Sequence, residues 1–241
     1  MRLVKTVFHV HSDYSFDCDY PLEALIQDAR ARGVQCVTLT DHDTMEGVRA
    51  AQELAGRDLQ IIAGQEITTR EGHLIGLFLH EEIEPGLSAR RTAELIRRQG
   101  GLVVVPHPFN RLFNCSLRES VYELIDLVDI VEVSNAQNFL SSPNRQARAL
   151  AERYQLPMLT GVDAHHPGYL DSSYQWIPVF KGPREFLAAV RQAQRVEGRH
   201  PASYFFKTAL YEFASKCGLG APERYGRNCP YMEREPAAEK A

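Results

Sequence analysis

The stretch FHVHSDYSFDC, residues 8–18, places several side chains with useful chemistry close together near the start of the chain. His9 and His11 end a short apolar run, and Asp13 and Asp17 follow at once. Imidazole nitrogens and carboxylate oxygens are donors that suit Zn²⁺, Mn²⁺ or Fe²⁺. Because alternate residues of a strand point to the same side, His9 and His11 can serve one ion. By itself the pair is weak evidence, since a polar residue at a strand end is usually only a rim residue.

Similar residues recur along the chain, which has nine histidines in all. Six of them lie in or directly after an apolar run: His9, His11, His42, His73, His107 and His165. Five carboxylates accompany them: Asp17, Asp41, Asp43, Glu66 and Asp163. Asp163 and His165 repeat the two-residue spacing of the first histidine pair.

Each of these groups has a simpler explanation when it is taken alone. Asp43 or Thr44 could cap the helix that follows, and Glu66 could pair with a surface arginine. Asp163 and His165 could belong to an ordinary turn. Their occurrence at five successive strand ends is difficult to explain separately, so the pattern favours a metal site.

Short β-branched runs alternate with helical patterns along the chain. Predicted strands cover residues 4–9, 34–39, 59–67, 73–79, 102–106, 129–134, 156–161 and 176–180. Predicted helices cover residues 21–32, 46–55, 87–99, 117–126, 143–154, 183–193 and 203–216. The fourth strand could form a hairpin with the third. Pro21 suits the first turn of the first helix, and Gly33 ends it.

This alternation predicts an α/β fold with a parallel sheet covered by helices. Six or seven such units in roughly 220 residues favour a barrel over an open sheet. In a parallel barrel the carboxyl ends of the strands meet on one face, so the histidines and carboxylates are expected to share one cleft. We expect one domain at residues 1–220 and a polar, poorly ordered tail at residues 221–241.

The composition of the chain argues against several classes of protein. The chain has 241 residues, of which 44% are hydrophobic, and a net charge of −4. This balance gives no argument for general nucleic-acid binding. No apolar run is long enough for a membrane span, and the first apolar run is too short for a signal peptide. The five cysteines are scattered without CxxC spacing, which predicts reduced thiols in a cytoplasmic protein rather than a disulfide framework or a cysteine-based zinc site.

Five motifs in order, HVHSDYSFDC, LTDHDT, AGQE, VPHP and GVDAH, resemble those of the PHP (polymerase and histidinol phosphatase) domain family over roughly residues 5–170. The resemblance implies a distorted (β/α)7 barrel with two or three divalent metal ions (Mn, Zn or Fe) and phosphoesterase activity. It implies a first metal held by His9, His11, Glu66 and Asp163. Glu66 would bridge to a second metal held by His73 and His107, although His73 could instead face the helices. Asp17, His42 and His165 would hold a third metal.

In such a centre the ions lower the pKa of a bridging water, and the resulting hydroxide attacks phosphorus. Asp163, His165 and His166 are the residues assigned to catalysis. His166 is a candidate to protonate the leaving oxygen, and exposure beside Pro167 is the equal alternative. The substrate-binding candidates are Arg111, Arg145 and Asn135: the arginines for phosphate, with surface roles as the alternative, and Asn135 with a strand-end cap as the alternative. Cys18 could touch a metal or be oxidised, but packing is favoured.

The sequence leaves the substrate open. A small phosphorylated metabolite or a short nucleotide suits a site without an inserted subdomain, as a monoester or a diester. One alternative is an amidohydrolase-type C–N hydrolase that uses the same metals. Another is a metal-binding domain without catalytic activity.

Overall fold

The computed structural model describes residues 2–111 and 115–216, with side chains up to residue 211. These described residues form nine strands: β1 (Leu3–Val10), β2 (Cys36–Leu39), β3 (Gln60–Thr68), β4 (His73–Leu77), β5 (Leu102–Val105), β6 (Ile130–Asn135), β7 (Met158–Gly161), β8 (Tyr174–Pro178) and β9 (Gln194–Val196). The α-helices are α1 (Leu22–Ala31), α2 (Glu46–Ala55), α3 (Ala89–Arg98), α4 (Ser141–Tyr154), α5 (Gly182–Val190) and α6 (Ala202–Lys216).

The strands form one sheet in the order β7-β6-β5-β4-β3-β2-β1-β8-β9. The pairs β1–β2, β2–β3, β5–β6 and β6–β7 are parallel, whereas β4 runs antiparallel to both β3 and β5. The predicted hairpin of the third and fourth strands is therefore confirmed. An antiparallel β4 begins at the end of the barrel where the parallel strands finish.

Strand β1 nearly closes the barrel because its two halves have different partners. Its first half pairs antiparallel with β8, from Leu3 opposite Pro178 to Thr6 opposite Gln175. Its second half meets the segment after β7, where Val162 N donates to the Phe8 carbonyl at 2.9 Å and Asp163 N donates to the His9 carbonyl at 2.8 Å. The α/β barrel expected from the sequence is confirmed, and the closure brings the ends of the first and last barrel strands together.

The barrel interior is filled by apolar side chains from the strands and from α5. Phe186 of α5 is fully buried and lies 5.7 Å from the ring of Phe8. Two further apolar clusters lie between the sheet and the outer helices. In α1, the predicted apolar face of Leu22, Leu25, Ile26 and Ala29 is buried, as the helical spacing requires. The interior packing gives a rigid base to the end of the barrel where the parallel strands finish.

Several boundaries differ from the sequence predictions. Residues 117–126 do not form an α-helix but two 3₁₀ segments, Arg118–Glu123 and Ile125–Leu127. Their inward residues Val121, Leu124 and Leu127 are spaced by three, which suits the tighter helix. The strand predicted at 176–180 begins two residues earlier, the helix predicted to end at 193 ends at Val190, and β9 was not predicted. The proposed tail at 221–241 lies outside the described residues.

Among the described residues, no helix combines the length and the apolar character that crossing a membrane requires.

Candidate metal centre

The nine predicted ligands come together at one end of the barrel. They lie at the carboxyl ends of the parallel strands, in the loop after β1, or at the start of the antiparallel β4: His9, His11, Asp17, His42, Glu66, His73, His107, Asp163 and His165. His73 reaches this end because β4 runs in the opposite direction to its neighbours. The alternative that His73 faces the helices is wrong, because its Nδ1 lies 3.0 Å from Glu66 Oε1.

Three of the nine have left-handed backbone conformations, which are uncommon for residues other than glycine. The φ angles are 60° at His9, 26° at His107 and 50° at Asp163. At His9 the register between β1 and β2 shifts between Val7 and Val10. This bulge lets His9 face the interior directly after Phe8, so the two histidines of the HVH motif reach the same carboxylate without regular alternation. Strain of this kind is typical of functional sites.

Glu66 is the centre of the cluster, and its two oxygens face different groups of imidazoles. Its Oε2 lies 2.9 Å from His9 Nε2 and 3.3 Å from His11 Nε2. Its Oε1 lies 3.0 Å from His73 Nδ1 and 3.1 Å from His107 Nε2. A surface pairing of Glu66 with arginine is excluded, because its side chain is 1% exposed.

The other two carboxylates connect the remaining histidines. Asp163 Oδ1 lies 3.5 Å from both His11 Nε2 and His165 Nδ1. Asp17 Oδ2 lies 3.3 Å from both His42 Nε2 and His165 Nε2, at the partly exposed mouth of the cluster. The carboxylates therefore connect the imidazoles into one continuous group.

The polar atoms of this group fit divalent ions better than they fit one another. His11 Nε2, His42 Nδ1 and Asp17 Oδ1 are buried and have no hydrogen-bond partner. Buried polar atoms without partners are costly, and divalent ions bound in the cluster would satisfy them. Sets of three donors lying within 4.8 Å of one another include His9–His11–Glu66, His42–Glu66–His73 and His11–His42–His165. This nitrogen and oxygen set matches the borderline metals Zn²⁺, Mn²⁺ and Fe²⁺.

The charges in the cluster shift the pKa values of its members in opposite directions. Burial opposes ionisation of Glu66, but the charges of His9, His42 and His73 outweigh it and hold the pKa of Glu66 well below its usual value. Burial likewise opposes protonation of His42, but Asp17 and Glu66 raise its pKa to about 10. Without metal, the cluster is therefore held by protons on imidazoles between carboxylates.

The metal-free protein is expected to lose stability as the pH rises. A pKa of about 10 for His42 lies above the unfolded value of about 6.5, so its stabilisation is complete below pH 6.5 and is lost as the pH approaches 10. The lowered pKa of Glu66 acts only in acid, where its stabilisation is lost as the pH falls, so it leaves this sign unchanged. Urea unfolding with chelator, between about pH 7 and about pH 8.5, should show a decrease of about 1 kcal/mol per pH unit.

Added metal should reverse this trend, because ions bind the neutral imidazole and compete with protons. The stabilisation by Mn²⁺ or Zn²⁺ is expected to increase over the same pH range. A metal-free protein whose unfolding free energy is flat or rises over that range would contradict the proposed protonation state.

A fourth carboxylate, Glu132 of β6, supports the cluster and was not predicted as a member. Glu132 Oε1 accepts a hydrogen bond from His9 Nδ1 at 2.9 Å, and its Oε2 accepts from His107 N at 2.6 Å. A carboxylate on one ring nitrogen directs the other nitrogen, here His9 Nε2, toward a metal. The signal in the sequence was an acid between Val131 and Val133 in a buried strand, where a charge requires a partner.

Gly161 at the end of β7 makes room for this carboxylate. A Cβ atom at Gly161 would overlap the Glu132 carboxyl group and would stand 3.2 Å from the His9 Cβ. Asn135, also on β6, donates from Nδ2 to Glu132 Oε2 at 3.0 Å and to Asp163 Oδ2 at 2.9 Å. The Asn135 Oδ1 accepts from Gln137 N at 2.8 Å. Asn135 is therefore a strand-end cap that positions Asp163, and its amide is occupied by protein partners rather than directed at substrate.

Two aspartates of the LTDHDT motif hold loops. Asp41 accepts from Ser12 N at 2.6 Å and from the Ser15 hydroxyl at 3.1 Å, which fixes the loop after β1. The Ser15 hydroxyl also lies 3.1 Å from His11 Nδ1. Asp43 accepts from Thr68 N at 2.7 Å and does not cap α2, so that alternative is wrong for Asp43.

The arginines predicted to bind substrate and the histidine predicted to protonate the leaving oxygen lie in different parts of the structure. Arg111 is exposed and lines a cleft of about 320 Å³. Arg145 is exposed on α4 and donates to Ser141 Oγ of the same helix at 2.7 Å. His166 is fully buried and contacts Asp19 and Thr208 through its two ring nitrogens. The alternative of an exposed His166 is wrong, and its ring nitrogens face these two residues rather than the nine predicted ligands.

Three residues hold the segment Asp163–His165 in place: Tyr204, His200 and Cys18. Of these, only Cys18 is singled out by the sequence, as a packing residue. Tyr204 of α6 donates its hydroxyl to the Asp163 carbonyl at 3.0 Å and accepts from His165 N at 3.1 Å. His200 stacks on the Tyr204 ring at 3.8 Å. Cys18 is buried and donates its thiol to the His165 carbonyl, so it packs behind the centre, and burial raises the pKa of its thiol.

A PHP domain profile matches residues 8–196. The chain belongs to the PHP domain family. An uncharacterised protein of Methanocaldococcus jannaschii is 35% identical over 144 residues, which is 55% of this chain and 82% of that protein. A phosphoribosyl 1,2-cyclic phosphate 1,2-diphosphodiesterase of Eggerthella lenta is 32% identical over 154 residues, 61% of this chain and 54% of the relative.

The fold also has solved neighbours. A two-domain protein from Bacteroides vulgatus, described as containing a predicted PHP-like metal-dependent phosphoesterase, superposes with a TM-score of 0.65 at 18% identity, covering 82% of this chain and 65% of the other. At this identity the likeness concerns the fold. Family membership and the ligand cluster together define a PHP domain with buried side chains that could hold metal ions.

Proposed function

We propose that this chain is a hydrolase that cleaves a phosphomonoester or phosphodiester of a small metabolite or nucleotide, with two or three divalent ions in the cluster. The observation that carries the proposal is the division of contacts at Glu66, whose Oε2 faces His9 and His11 while its Oε1 faces His73 and His107. A carboxylate with imidazoles on both oxygens is suited to bridge two ions. The E. lenta relative, named as a phosphodiesterase, supports the reaction class.

The proposed ligand sets follow the contacts. His9, His11, Glu66 and Asp163 would hold one ion; Glu66, His73 and His107 a second; and Asp17, His42 and His165 a third. When bound, the ions would supply a Lewis acid that activates water and neutralises charge on the phosphoryl oxygens. Asp163 and His165 would act as ligands at the reacting group. Glu132, Asn135 and Tyr204 would hold these ligands in position.

The cleft beside the cluster is the proposed place for the rest of the substrate. Asn110 N donates to the His107 carbonyl at 3.2 Å, so one wall is attached to a ligand. On the other wall, Phe139 is 65% exposed and offers a ring on which a planar or apolar group could stack. Arg111 supplies the positive charge for a phosphate. This chemistry fits a phosphorylated small molecule such as a nucleotide.

Arg111→Gln is expected to raise KM for the phosphorylated substrate on the order of 10-fold, because a charge-assisted hydrogen bond contributes roughly 1.5–3 kcal/mol. Arg145→Gln is the matched control, since Arg145 does not line the cleft and binds Ser141 on its own helix. Steady-state kinetics on the wild type and both variants would measure the difference. Equal KM values for the two variants would remove Arg111 from substrate binding.

The function itself is tested by metal content and ester hydrolysis together. Elemental mass spectrometry should find two or three ions per chain, and p-nitrophenyl phosphate or its bis-ester should be hydrolysed after Mn²⁺ addition. His11→Ala should lose metal and turnover, whereas His80→Ala, at an exposed histidine outside the cluster, should retain both.

Other results would support the alternatives. Turnover of a lactam without turnover of either ester would favour a C–N hydrolase that uses the same metals. A fully loaded protein that is inert to all these substrates would favour a metal-binding role without catalysis. The cytoplasmic location inferred from scattered, unpaired cysteines remains part of the proposal, and Cys18, Cys36 and Cys115 are free thiols.

A further inference from the structure

Cys115, in the loop after β5, lies beside two of the proposed metal ligands. Its sulfur and one ring nitrogen each of His73 and His107 all lie within 4.8 Å of one another. The spacing of cysteines in the sequence predicts no cysteine-based zinc site, and Cys115 has no cysteine partner here. Its neighbours are histidines that are distant in the sequence.

The backbone holds Cys115 in this place independently of its thiol. His73 N, at the start of β4, donates to the Cys115 carbonyl at 2.7 Å. Gly72 directly precedes His73 and has a φ of 146°. A Cβ atom at Gly72 would stand 2.6 Å from Leu117 N. Only glycine lets the loop approach β4 so closely, and this approach brings the thiol to the imidazole of His73.

The second proposed ion has three protein donors without this sulfur. Glu66 Oε1 faces both His73 Nδ1 and His107 Nε2, which gives one oxygen and two nitrogens. A thiolate sulfur would add a fourth protein donor to this set, beside the position that the activated water would take. The sulfur and the two imidazole nitrogens lie within 4.8 Å of one another, and binding one ion would draw them closer together.

We infer that the Cys115 thiolate is the fourth ligand of the ion held by Glu66, His73 and His107. The inference rests on the proposed metal centre. As the metal–sulfur bond forms, the S–H bond breaks and the proton passes to solvent. A thiolate ligand favours Zn²⁺ or Fe²⁺ over Mn²⁺ at this position, because sulfur is the softer donor.

The test uses Co²⁺ as a spectroscopic substitute in the full-length protein. The wild type loaded with Co²⁺ should show the visible d–d bands of the bound ion and a near-ultraviolet thiolate-to-Co²⁺ charge-transfer band. Cys115→Ser should lose the charge-transfer band, retain d–d bands from the other ions, and bind the second ion on the order of 10-fold more weakly or worse. Cys36→Ala, at a buried cysteine far from the ligands along β2, should retain the band.

The possible results separate this inference from the proposed function. A charge-transfer band that persists in Cys115→Ser, or a fully loaded wild type without that band, overturns the role of Cys115 and leaves the metal centre intact. A wild type that binds no Co²⁺, Zn²⁺ or Mn²⁺ overturns the metal centre, and the ligand role of Cys115 with it. Cys115→Ala provides a second variant in which no oxygen can replace the sulfur.

Discussion

Replacing Glu66 with glutamine is expected to abolish the metal centre and reduce phosphoester hydrolysis by on the order of 10³-fold or more. Glutamine keeps the shape of the side chain but removes its charge and one acceptor oxygen. The ionised Glu66 faces His9 and His11 on one oxygen and His73 and His107 on the other. Among the described residues, no other carboxylate forms ion pairs with imidazoles of both groups. Elemental analysis should therefore show the loss of at least two ions.

The same variant should also be less stable without metal. The charge of Glu66 stabilises protonated imidazoles in the metal-free cluster, and removing one partner of a buried ion pair costs about 3 kcal/mol or more. Urea unfolding in chelator measures this loss, and circular dichroism checks that the fold persists. Glu53→Gln is the control, since Glu53 pairs with Arg49 on the exposed face of α2. Normal metal content in Glu66→Gln would contradict the bridging role.

Gly161→Ala is expected to disturb the proposed metal centre by displacing the residues that support it, although glycine has no side chain that could bind a metal or react. The added methyl group would occupy the space of the Glu132 carboxyl group and press on the His9 Cβ. Overpacking of a buried site costs about 1–3 kcal/mol. Displacing Glu132 also removes the hydrogen bond that directs His9 Nε2 toward the metal, and such losses reduce metal affinity about 10–100-fold.

A double-mutant cycle isolates the steric part of this effect. Glu132→Ala removes the carboxyl group that the new methyl group meets, so Gly161→Ala should cost less in that background than in the wild type. Unfolding free energies and metal titrations of the four proteins complete the cycle. Additive costs would mean that the methyl group is accommodated elsewhere and that Gly161 is not required for the placement of Glu132.

The sequence by itself determined the class of fold and the nine histidine and carboxylate side chains that meet at one end of the barrel. Strand ends are visible as apolar runs that stop at a polar residue, and the carboxyl ends of parallel strands share one face for topological reasons. Because each ligand motif is local, His9, His42 and His107 could be predicted from short stretches. The helices α1 and α2 followed from apolar spacing and, for α1, from Gly33 at its end.

Only the tertiary structure decided which groups face one another. The direction of β4 brings His73 to the cluster of histidines and carboxylates, and periodicity does not reveal strand direction. Glu132 and Cys115 join the centre through contacts between distant segments, permitted by Gly161 and Gly72. His166 adjoins the predicted ligand His165, yet its ring turns toward α6. Sequence patterns specify which side chains end a strand, whereas packing between elements decides where those side chains point.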